Sequence, residues 1–78
     1  MTEKQVYVWK DGSTYRIVAK EADERGITSM RATEQSLPDR VKEFVRLGYK
    51  PILGQATDGT NYPLLPDVED SIRRLLQD

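Results

Sequence analysis

Two groups of carboxylates, Glu21, Asp23 and Glu24 in one and Asp67, Glu69 and Asp70 in the other, come closest to a catalytic or metal-binding pattern in this chain. Paired acids can act as general acid and base or hold a hard cation. The acid role needs a pKa raised by burial or by a like-charged neighbour. Both groups lie in hydrophilic runs, which do not supply that burial. Neither His nor Cys occurs in the chain, which removes the side chain that titrates near neutral pH, the thiolate nucleophile and the softest metal ligand. No serine sits in a nucleophile-elbow sequence, and no histidine exists to activate one. The expectation is a protein with no catalytic residues, no metal ligands and no cofactor, which works by binding.

The residues best suited to binding are Tyr7, Trp9 and Arg16. Gln5–Lys10 and Ser13–Lys20 are β-branched and aromatic runs separated by Asp11-Gly12, the pattern of a β-hairpin with a two-residue turn. That turn sets Lys10 opposite Ser13, Trp9 opposite Thr14, Val8 opposite Tyr15, Tyr7 opposite Arg16 and Val6 opposite Ile17. One face then carries Val6, Val8, Tyr15, Ile17 and Ala19, and the other Tyr7, Trp9, Thr14, Arg16 and Val18. Large rings with polar edges beside a guanidinium make good interface anchors if that second face is open. A C-terminal helix packed over it would bury them instead.

The acidic groups divide by context. Asp67, Glu69 and Asp70 have a structural role at a helix N-terminus, where carboxylates meet the positive end of the dipole. Glu21, Asp23 and Glu24 have no such local role and are a candidate surface for a basic partner. Lys42 and Arg46, with Arg40 and Lys50 nearby, could touch phosphates, yet Asp39 and Glu43 interleave with them at helical spacing and favour intrahelical pairing. Ala22, Gly26 and Ile27-Thr28 match three positions of a helix-turn-helix, but Glu21 and Arg25 stand where that motif needs apolar residues. The match is rejected.

These residues must be positioned by a small α+β domain spanning residues 1–78. Its expected order is β-β-β-α-β-(β)-α, a small antiparallel sheet with two helices. Ile27–Thr33 alternates as a third strand with Met30 inward. Ser36-Leu37-Pro38-Asp39 predicts a serine-capped helix whose Leu37, Val41, Phe44, Val45 and Gly48 form one stripe, ending at Gly48. Tyr49–Thr57 follows as a strand, and Asp58-Gly59 as a turn. The Tyr62–Pro66 segment is an edge strand or an extended loop because of its prolines. Asp67 is expected to cap a last helix with Val68, Ile72, Leu75 and Leu76 on one side.

A net charge of −1 hides an uneven distribution: residues 1–20 and 36–50 each carry +2, residues 21–35 carry −2 and residues 51–78 carry −3. Such blocks can fold into faces of opposite sign. The lack of cysteine and of an apolar leader points to the cytoplasm, and no apolar run approaches the roughly 20 residues that span a bilayer.

The order hairpin, third strand, capped helix and then Tyr49-Lys50-Pro51-Ile52-Leu53-Gly54 resembles that of small phage anti-CRISPR proteins, one of which leaves its helix through a Tyr-x-Ile-Leu-Gly stretch. The extra residue and Pro51 depart from it. The resemblance implies a stoichiometric inhibitor that docks on a host nucleoprotein complex, offering carboxylates to basic surfaces meant for nucleic acid, with no catalytic residue. The expected function is therefore a non-enzymatic protein-binding module, with Tyr7, Trp9, Arg16, Glu21, Asp23 and Glu24 as partner-binding residues. The alternatives are a nucleic-acid-binding accessory protein using Arg16, Arg40, Lys42 and Arg46, and a homodimer or other small homo-oligomer joined through the Tyr7/Trp9 face.

Overall fold

The computed structural model describes residues 4–21 and 27–77. Strands β1 (Lys4–Asp11) and β2 (Thr14–Glu21) form the hairpin and β3 (Thr28–Ala32) follows. Helix α1 (Leu37–Arg46), strand β4 (Lys50–Leu53) and helix α2 (Pro66–Gln77) complete the chain. The α+β class and the order β-β-β-α-β-α are as expected. The four strands lie in the order β3-β2-β1-β4, and β4 runs parallel to β1, so the sheet is mixed and not the antiparallel one expected. Helix α1 makes this possible, since it returns the chain to the end of the sheet from which β1 starts.

The hairpin register differs from the expected one. Asp11 pairs with Thr14, so the turn is Gly12-Ser13 rather than Asp11-Gly12. Gly12 takes a φ of +66° at the first turn position, which leaves Asp11 free to remain in the strand. There its carbonyl accepts the Thr14 hydroxyl at 3.2 Å. Val8 consequently faces Ile17, Val6 faces Ala19, Tyr7 faces Val18 and Trp9 faces Arg16. Because the pairing moves by two positions, each side chain keeps its face.

Ser36 stands at the N-cap position of α1 but makes no side-chain cap. Its hydroxyl instead accepts the Thr33 N–H at 3.1 Å, while the Thr33 hydroxyl accepts the Ser36 N–H at 3.3 Å. This is a reciprocal capping box set one turn earlier than the sequence suggests. At the other end, Gly48 (φ +98°) donates its N–H to the Val45 carbonyl and Tyr49 donates to that of Phe44. These are the two bonds of a Schellman motif, and its usual hydrophobic contact is the edge-on pair Phe44–Tyr49, with ring centroids 5.6 Å apart.

Strand β4 is shorter than the expected Tyr49–Thr57 run. Residues 55–61 fold back through one bridge, Gln55–Asn61, and residues 62–65 are irregular, so no further strand forms there. Asp67 does not cap α2: the helix starts at Pro66, and the Leu65 carbonyl accepts the N–H groups of Val68 and Glu69. Proline fits the first helical position because its φ is already helical and the N–H it lacks would be unpaired.

Both helices pack on one side of the sheet. Leu37 and Val41 of α1 and Val68 and Ile72 of α2 join Val6, Val8, Ile17 and Ala19 in one buried cluster, each at most 3% exposed. The shortest dimension of the Cα envelope is 17 Å. A sheet and one helix layer fit that thickness, whereas helices on both faces would add about another 10 Å.

Candidate functional site

The pleat and the register define the other side of the sheet. From β1 it presents Gln5, Tyr7, Trp9 and Asp11, and from β2 Thr14, Arg16, Val18 and Lys20. From β3 it presents Ser29 and Arg31, and from β4 Lys50 and Ile52. No described helix lies over it. Its middle is apolar: Tyr7 and Trp9 are half-buried by their neighbours, and Val18, flanked by Tyr7 and Ser29, is only 8% exposed. Around that middle the face is cationic, with Arg16, Lys20, Arg31 and Lys50 against one carboxylate, Asp11, among the described strand residues. A chain of net charge −1 thus concentrates positive charge on one face.

Local contacts hold the central side chains. The Tyr7 hydroxyl donates to Gln5 Oε1 at 2.9 Å, and Arg16 Nη1 lies 3.9 Å from Asp11 Oδ2. That ion pair is solvent-exposed and contributes little to stability. Arg31 is directly opposite Arg16 on the neighbouring strand and is exposed. Among the described residues it has no ion pair. Like charges in that position work against strand pairing.

The expected acidic site divides differently. Asp23 and Glu24 lie outside the described residues. Glu21 belongs to the helix-covered side, opposite Lys4 at the start of the hairpin. Its Oε1 accepts the Tyr49 hydroxyl at 3.3 Å, and Lys4 Nζ sits 5.5 Å from the centre of the same ring. Burial first, and then the Glu21 charge and hydrogen bond, raise the Tyr49 phenol above its ordinary pKa. Glu21 therefore ties β2 to the end of α1, and the fold does not bring it together with Tyr7, Trp9 and Arg16.

Arg40, Lys42 and Arg46 are on α1, in the layer away from the open face. Arg40 borders a groove of about 350 Å³ with Met30, Phe44 and Leu47, and Lys42 and Arg46 line another with Asp39, Glu43 and Leu75. They form no surface continuous with Arg16. Lys50, grouped with these cations by sequence, lies instead on the open face beside Gln5, and Arg31, which is also there, escaped the sequence analysis, although Met30 facing inward already placed it outward. Among the described residues, no three or more acidic side chains converge as a metal cage.

No protein-family model matches the chain, and searches of curated proteins and of solved structures return no match. Among the described residues, no helix is long and apolar enough to cross a membrane.

Proposed function

We propose that this chain is a non-enzymatic binding module whose working surface is the uncovered face of the sheet, centred on Tyr7, Trp9 and Arg16. The observation that carries the proposal is the packing of both helices against the opposite face, with Val68 and Ile72 in the same buried cluster as Val6 and Ile17. A sheet this small can leave one face to solvent. A bare face with two large aromatic rings and a fringe of cations is suited to contact.

The sign of the face selects the partner. Arg16, Arg31 and Lys50 call for an anionic surface, and Glu21 is engaged by Tyr49 on the other side. An inhibitor of the anti-CRISPR type, acting in the cytoplasm, is one protein that works by occupying a nucleoprotein complex. From this chain the contact would be made by rings and cations, on an anionic part of such a complex.

Affinity capture with three forms of the chain tests the proposal. Whatever binds wild type should be lost by Trp9→Ala/Arg31→Glu and kept by Lys42→Glu/Arg46→Glu. A partner lost by the helix variant and kept by the sheet variant would overturn it.

A further inference from the structure

We infer that the uncovered sheet face is a platform for single-stranded nucleic acid, with bases stacked on Tyr7 and Trp9 and phosphates held by Arg16, Arg31 and Lys50. This rests on the proposal that the face is the working surface, and names what the surface takes.

Ring spacing supplies the first argument. Tyr7 and Trp9 are alternate residues of β1, so they share a side and stand roughly 6.6–6.8 Å apart along the strand. Bases along one strand of a duplex are separated by about 3.4 Å and are covered by one another. Only an extended single strand, with its bases drawn apart, offers two free faces at twice that distance.

The charges supply the second. Arg16 and Arg31 face each other across β2 and β3, an arrangement unfavourable for the sheet alone. A phosphate between the two guanidiniums turns that repulsion into paired charge-assisted hydrogen bonds. Lys50 lies across the sheet on β4, beside Gln5. Arg31 is level with Trp9 and Lys50 with Gln5, four residues away along β1, so cations flank the ring-bearing strand at diagonally opposite ends. A backbone running diagonally, past Trp9 and then Tyr7 along β1, would meet positive charge before and after the rings. An acidic peptide would satisfy the cations but has no flat π-faces to set on the rings.

The test is a titration of the purified chain with a twelve-nucleotide thymidine strand, the matching duplex and poly-glutamate, after acrylamide quenching of Trp9 in the free protein. The expected results are an accessible Trp9, quenching of its emission by the single strand, and weaker binding to the duplex. Affinity should fall as salt rises, with a log–log slope of about −2 for three phosphate contacts. Measured by anisotropy of a labelled strand, Trp9→Ala should weaken binding on the order of tenfold, and Trp9→Phe should restore most of it. Arg31→Gln should reduce the slope by about 0.7. Thermal melts separate folding losses from binding losses.

A Trp9 shielded from acrylamide would remove the open face and this inference together. An accessible Trp9 with no single-strand binding at low salt would overturn the inference alone. So would equal affinity for duplex and single strand, or Trp9 quenching by poly-glutamate only, which would direct the face to an acidic protein.

Discussion

Tyr15 shows how far the core tolerates a polar atom. Its side chain is 2% exposed and its hydroxyl has no hydrogen-bond partner among the described residues. Burial, and then the Glu34 charge, raise its pKa. Removing an unsatisfied buried hydroxyl removes its desolvation penalty, so Tyr15→Phe should leave stability unchanged or raise it by about 1 kcal/mol in urea denaturation. A loss of that size would reveal a partner for the hydroxyl. Asp58 is the opposite case. Its carboxylate accepts the Thr60 N–H at 2.9 Å, which lowers its pKa. Its contribution to stability is complete above the ordinary carboxylate range and is lost as pH falls through the lower folded-state value. Asp58→Ala should therefore show a smaller loss of stability than wild type between pH 7 and pH 3. At this scale the open face was half legible. Alternation along the hairpin showed Tyr7, Trp9 and Arg16 sharing a side, but Arg31 and Lys50 join them only through pairings between segments distant in sequence.

Helix ends and strand register explain most differences between sequence and structure at the scale of elements. Asp11-Gly12 and Gly12-Ser13 both satisfy a two-residue turn, and cross-strand contacts along the hairpin decide between them, so period-two faces were readable where register was not. The start of α1 shows the same limit. Ser36 has the side chain of a cap, but the capping box centred on Thr33 already uses its hydroxyl. The C-terminal signal held because only Gly48 relieves the strain of φ +98° there. Nothing lies within 4 Å of a Cβ built on Gly48. Gly48→Ala should then cost about 1–2 kcal/mol in thermal unfolding, the backbone term alone. For α2, Ile72 is fully buried. Ile72→Asp places an unpaired charge in the core and should remove several kcal/mol, enough to unfold a domain of this size. A melting temperature within a degree or two of wild type would mean that α2 is not docked.

At the scale of the whole molecule, two layers and an asymmetric charge distribution define what the chain can do. The four-stranded sheet, its helices and the inward stripe of α1 follow from local patterns, whereas the side of the sheet that α2 chooses depends on tertiary packing and was left open by the sequence. Among the described residues, that choice leaves Tyr7 and Trp9 without a helix above them. It also bears on self-association: two copies joined through this face would set Arg16, Arg31 and Lys50 against their counterparts. Sedimentation at low salt should accordingly find a monomer, and a dimer lost on Trp9→Ala would show that the rings outweigh the charges. The most direct test of the open face is the NMR signal of the Trp9 indole N–H in the presence of a soluble paramagnetic chelate. The signal should broaden far more than those of the fully buried Ile17 and Ile72 side chains, though less than that of Leu47 (62% exposed), because Trp9 is half-buried. An indole as protected as the Ile17 and Ile72 side chains would contradict the assignment of this face as the binding surface.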